Sequence, residues 1–193
     1  MKIVECVPNF SEGRRKEVIE EIIAAVRAVD GVKVLDYSSD ASHNRTVLTF
    51  VGEPMAVKEA AFSLTEKAAE LIDMEQHQGE HPRIGAADVI PFIPISGVSM
   101  EECVELAREL GRDIGEKLGI PVYLYEEAAT SPERKNLANV RRGEYEGLKE
   151  AIKTPERQPD FGPAQMHPRA GAVAIGARPP LVAYNINLDT DKV

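Results

Sequence analysis

The sequence predicts an α+β fold of the ferredoxin-like, split β-α-β kind, with helices packed on one face of an antiparallel sheet and further strands extending it. Three observations carry this. Strand and helix patterns follow the order β-α-β-β-α-β over residues 2 to 95. The two middle strand patterns, VKVLDY and RTVLTFVG, are rich in β-branched residues and separated by a loop short enough to make them neighbours. The segments on either side of that pair repeat their apolar residues at helical spacing.

Each element follows from its residues. KIVECVP at 2 to 8 reads as a short buried strand, and Ser11 as the N-cap of a helix whose Val18, Ile19, Ile22, Ile23 and Val26 share a face up to Gly31. Strands at 32 to 37 and 45 to 52 flank the polar loop SSDASHN. Pro54 suits the first helical position, and Val57, Ala60, Ala61, Leu64, Ala68 and Leu71 keep helical spacing to Ile72. A loop with Gly79 and Pro82 leads to a strand at 87 to 95. Ser99 and Glu102 form a capping box for a third helix that stops at Gly119, followed by a strand at 121 to 128. Residues 130 to 169 are rich in charge, Pro and Gly, with short helices expected at 133 to 139 and 144 to 153. GAVAIGA at 171 to 177 and LVAYNINL at 181 to 188 read as a terminal pair of strands.

Composition narrows the function. The chain of 193 residues has the apolar fraction of an ordinary globular protein, and none of its apolar runs approaches the roughly 20 residues that span a bilayer. Met1 to Val7 holds Glu5 inside its apolar run with no h-region after it, so the expected location is cytoplasmic and no membrane partner is expected. Cys6 and Cys103 lie among apolar neighbours with no ligand spacing, as buried thiols in a reducing compartment would. A net charge of -9 argues against nucleic acid as a partner. It also makes the arginines informative: to hold an anionic substrate, Arg45, Arg83, Arg141, Arg142, Arg169 or Arg178 must overcome the global field locally.

His77-x-x-Glu80-His81 matches the inverted zinc-peptidase signature, which needs both histidines on one helical turn. Gly79 weakens that turn and Pro82 pushes His81 toward extended backbone, so no metal site is expected. Two roles stay open for His81: anchoring its loop, or moving a proton at neutral pH. His43 and His77 are expected to be solvated. Asn9, ahead of a helix N-terminus, could meet an anion or amide ligand or serve as a cap. Asn44 and Arg45 close the polar loop and could face the same cleft. DFGPAQMHPRAG at 160 to 171 could be a linker, or could let its backbone meet a ring or carboxylate, with Arg169 as a bidentate partner. H-P-R-x-G-A occurs twice, at His81 to Ala86 and His167 to Ala172.

VECVPNFSEGR, NRTVLTFVG, GEHPRIGAADVIPFIP, PVYLYEEA, PDFGP and AYNINL, in this order along essentially the whole chain, resemble glutamate formiminotransferase, the front part of the bifunctional formiminotransferase-cyclodeaminase. The resemblance implies transfer of a formimino group from N-formimino-L-glutamate to N5 of tetrahydrofolate, with tetrahydrofolate as co-substrate and His81 as catalytic acid/base. It implies a folate-lining loop from Gly162 to Gly171, that is Gly162, Pro163, Ala164, Gln165, Met166, His167, Pro168, Arg169, Ala170 and Gly171, in which the second H-P-R echo is coincidental. Asn9, Asn44, Arg45 and Arg83 are expected to complete the substrate site. The family has two similar lobes with the cleft between them. Residues 1 to 193 correspond to the N-terminal one, so either the sequence is a piece of a longer or truncated product, or the second lobe is expected from a homodimer mate or a separate chain. A formylglutamate-dependent folate formyltransferase and a non-catalytic folate-binding module are the alternatives.

Overall fold

The computed structural model describes residues 1–182. The strand expected at 2 to 8 is broken in two: β1 (Ile3–Cys6) and β2 (Asn9–Phe10) lie in line, each between the same two neighbours. Pro8 causes the break, since it has no N–H to give to a ladder. Its carbonyl still accepts from Leu48 N, which holds the halves in register.

α1 (Lys16–Arg27) buries Val18, Ile19, Ile22, Ile23 and Val26 as expected, but starts later than Ser11. Ser11 is buried and donates instead to the Gly85 carbonyl. The Glu12 carboxylate takes the amide protons of Arg14 and Arg15, its charge making it the stronger acceptor. β3 (Val32–Asp40) runs three residues further than expected. Ser38, Ser39 and Asp40 pair with Val47, Thr46 and Arg45, and the Ser39 and Thr46 hydroxyls satisfy each other across the strands. β4 (Arg45–Gly52), α2 (Pro54–Leu71), β5 (Ala87–Ser96), α3 (Met100–Lys117) with its capping box, and β6 (Val122–Glu126) stand where the residues put them. Two short helices follow, α4 (Leu137–Val140) and α5 (Glu144–Ala151), then β7 (Val173–Ala177).

One mixed sheet results. β3, β4, the β1/β2 line and β5 are antiparallel, and β5, β7 and β6 are parallel in that order. The expected terminal pairing of strands is replaced by β7 lying between β5 and β6. Leu181 and Val182 are exposed without regular structure, and the remainder of that expected strand, AYNINL, lies outside the described residues.

Along β5, β6 and β7, buried on both sides, successive residues join opposite faces. Ile90, Ile175 and Leu124 are register partners in the core beneath α1, α2 and α3, where Phe10, Phe50 and Phe92 are fully buried. Each such ring contributes about 1.5–3 kcal/mol by leaving water. Their strand neighbours Val89, Ala174 and Tyr123 pack with Val140, Leu148 and Ile152 of α4 and α5. Helices therefore cover both faces: the three long ones the first, the two short ones the parallel half of the second. This corrects the expectation of helices on one face alone, and it brings the start of α5 to the edge where β2, β4 and β5 meet. No helix among the described residues is long and apolar enough to cross a membrane. Both cysteines are free and buried.

Candidate active site

His81 lies in the loop between α2 and β5, where residues 77–81 form no helical turn, so the two histidines of the zinc-like signature share no helical face. Among the described residues no group of three or more His, Cys, Asp or Glu is placed to hold a metal. The His81 side chain is buried, 6 % exposed, and its Nδ1 has no hydrogen-bond partner among the described residues. Arg45 at the start of β4, Arg141 just after α4, His43 and His77 surround it. Burial first, then the charges of Arg141 and Arg45, then the two histidines, push its pKa from 6.5 to about 3. The imidazole is therefore neutral at pH 7 and able to accept a proton.

The two arginines are held differently from one another. Arg141 pairs with Asp88 on β5, a fully buried carboxylate whose other oxygen accepts from Ile84 N at 2.8 Å. One carboxylate thus fixes both the loop that carries His81 and the guanidinium beside it. Burial raises the proton affinity of Asp88, and Arg141 opposes that rise. Arg45 reaches Asn9 Oδ1 at 3.4 Å. Burial and the charge of Arg141 lower its pKa, and the Nε of both arginines is buried without a partner.

Asn44 and Arg83, both expected in the substrate site, are engaged with the surrounding loops. Asn44, at φ 49°, accepts from Gly13 N through Oδ1 and donates from Nδ2 to the Gln78 carbonyl, which ties its side chain between two loops. Arg83 is buried and gives Nε–H to His77 Nδ1, NH1 to Glu144 and Glu146, and NH2 to Glu146 and the His77 carbonyl. No proton of that guanidinium is left for a substrate. His77 is likewise not a solvated residue. Its Nδ1 accepts from Arg83, so Nε2 carries the proton and donates to the Asn44 carbonyl at 2.9 Å. Asn9 sits inside β2, away from any helix N-terminus, because that helix begins six residues later than its asparagine would need for capping.

The loop from Gly162 to Gly171 starts against α3 and ends against the His81 loop. Gly162, Pro163, Ala164, Gln165, Pro168 and Arg169 are exposed, Met166 and His167 half-buried, Ala170 and Gly171 buried. His167 Nδ1 accepts the amide protons of Arg169 and Ala170, tying the ring into its own turn. Arg169 Nε lies 3.9 Å from Asp73, and its carbonyl accepts from Met74 N. The two H-P-R-x-G-A segments meet: Gly85 pairs with Gly171, Ala86 N donates to the Ala170 carbonyl and Ala172 N to the Ile84 carbonyl. The match is a local two-fold in which each glycine is needed. A Cβ on Gly85 would stand 2.0 Å from the Ala172 carbonyl, and one on Gly171, at φ +73°, would stand 2.5 Å from that of Ile84. The echo is therefore structural, not coincidental, and it fastens the 162–171 loop to the segment that carries His81.

Two residues of this site, Asp88 and Arg141, were not placed beside His81 by the sequence. For Asp88 a signal exists, a lone acid inside the apolar run AADVIPFIPI, since an unpaired buried charge is untenable. Arg141 was one of the six arginines named as able to hold an anion, but only the fold brings it to His81.

Residues 3–178 match the formiminotransferase domain, N-terminal subdomain. The chain belongs to this formiminotransferase family. The chain is 53% identical over 192 residues to glutamate formimidoyltransferase of Streptococcus pyogenes serotype M1, and 54% identical over 195 residues to that of Thermoplasma acidophilum. Both alignments cover the whole of this chain and 64% of the relative. Formimidoyltransferase-cyclodeaminase of Gallus gallus is 54% identical over 187 residues, 97% of this chain and 35% of that protein. This formiminotransferase subdomain thus spans under two thirds of the length of the relatives it matches.

Proposed function

We propose that this chain takes part in formimino transfer from N-formimino-L-glutamate to N5 of tetrahydrofolate, giving 5-formiminotetrahydrofolate and glutamate, with His81 as the acid/base group. The observation that carries the reading is a buried, neutral histidine between two guanidinium groups in a chain of the formiminotransferase family. The N5 amine attacks the amidine carbon, and His81 takes the proton that N5 must lose. A tetrahedral intermediate forms, and the imidazolium returns that proton to the glutamate nitrogen. The carbon–nitrogen bond to glutamate then breaks, and the amine leaves neutral. A histidine whose proton affinity is depressed is a strong acid once charged, which favours the second transfer.

In this reading the exposed Gly162 to Arg169 stretch lines the folate, which enters as co-substrate. The chain is the N-terminal subdomain, and a second lobe, from the same protein, a mate or another chain, forms the other wall of the cleft. Residues 3 to 96 are read as a ferredoxin-like unit, supported by the strand order β3, β4, β1/β2, β5 and by α1 and α2 on one face. The protein is read as cytoplasmic.

His81→Ala in the full protein is expected to lower turnover by roughly 100-fold or more while folate still binds. Stopped-assay measurement of 5-formiminotetrahydrofolate checks this, and unchanged turnover would overturn the assignment.

A further inference from the structure

We propose that Arg45 and Arg141 form a clamp for a carboxylate beside His81, aimed by Asn9 and Asp88, and that its ligand is the α-carboxylate of an N-substituted glutamate. The choice of ligand rests on the transfer reading above, whereas the clamp rests on the geometry alone.

A guanidinium has five N–H donors. Arg83, a short way along the same loop, has all of its nitrogens engaged by Glu144, Glu146 and His77. Among the described residues Arg45 makes one long hydrogen bond, to a neutral amide, and Arg141 one bond, to Asp88. The Nε of each is buried and unpartnered. Two cations and one carboxylate leave this corner with a net positive charge next to a neutral imidazole. The nearby acid Asp40 does not correct it, because its carboxylate is half-exposed and turned to the His43 amide at 2.8 Å. Unfilled donors on two neighbouring guanidiniums are what a planar, bidentate anion would complete.

Chemistry selects which carboxylate. In N-formiminoglutamate the α-carboxylate is borne by the carbon bonded to the leaving nitrogen, so it must lie close to the group that returns the proton. The γ-carboxylate is two methylenes further off, and the carboxylates of folate lie at the far end of that molecule from N5. A clamp touching His81 therefore fits the α-carboxylate of the donor. Its arrival also neutralises part of the field that holds His81 unprotonated, which strengthens the base when the base is needed.

The test is a titration of the full protein, labelled at the arginine side chains, with N-formyl-L-glutamate, followed through the Nε–H resonances. The Arg45 and Arg141 signals should move together and the Arg83 signal should stay. Arg45→Lys and Arg141→Lys keep the charge and should each weaken binding by about tenfold or more, the scale of a lost charge-assisted bond. Asp88→Asn should weaken it while leaving both cations in place, and an unmoved Arg83 signal reports that each variant is folded. N-formyl-L-glutamine, which keeps the α-carboxylate, should bind the clamp, and N-formyl-L-isoglutamine, which has lost it, should not. Equal binding of the two amides, no effect of either Lys variant, or no movement of the two signals overturns the clamp. If the clamp binds and no formimino transfer is found in the full protein, the transfer reading falls and the clamp stands.

Discussion

Arg83 and the pair Arg45 and Arg141 sit around the same histidine-bearing loop in opposite conditions. Arg83 is saturated: two carboxylates and a histidine fix it, and it fixes α5 and His77 in return. The pair is starved, with one hydrogen bond each and buried Nε atoms that nothing meets. The difference separates arginines that hold the fold from arginines that hold charge in readiness. A chain of net charge -9 can present a positive corner to an anion only by leaving such cations locally uncompensated.

Substitutions can break or sharpen this contrast. The largest effect is expected at Asp88, where Asp88→Ala strands a buried guanidinium and an amide, and should cost about 3–5 kcal/mol of stability in urea unfolding. A smaller loss is expected from Arg83→Met, about 1–3 kcal/mol, because Glu144 and Glu146 are exposed enough to hydrate once it is gone. Arg45→Gln should reverse the pattern, changing stability by less than about 1 kcal/mol, as it removes repulsion together with one long bond, while reducing affinity for the donor. If Arg45→Gln unfolds the protein and Arg83→Met spares it, the two kinds of arginine have been assigned the wrong way round.

A separate effect, absent at neutral pH, is expected on the pH dependence of stability. His81 holds its proton less well folded, at about 3, than unfolded, near 6.5, so unfolding takes up a proton in that window. Stability should fall as pH drops through it, and His81→Gln should flatten that part of the acid-unfolding curve. An identical curve for the two proteins would mean that His81 titrates normally when folded.

Much of the scaffold was legible in the residues because apolar period and caps decide it locally. β4, α2 and the Ser99–Glu102 box of α3 follow from such signals. What failed was long-range. Ser11 lost its cap role to a hydrogen bond with Gly85, and β7 found parallel partners in β5 and β6 that no local pattern encodes. In the site, His81 could be picked out by its Pro82 neighbour and the family blocks. The protein partners of Asn44 and Arg83 were not legible, because a polar residue in a loop gives no sign of whether it meets protein or ligand. The same ignorance left Arg141 as one candidate arginine among six, since its partner Asp88 lies 53 positions away in the chain.

The most direct measurement is the titration of the His81 ring by NMR, in the ligand-free protein and with N-formyl-L-glutamate bound. A buried, neutral imidazole under two guanidiniums should show a midpoint well below 6.5, near about 3, that climbs when the carboxylate fills the corner. A midpoint at or above 6.5 that ignores the ligand would contradict both the acid/base role read from this geometry and the cationic pair that is held to tune it.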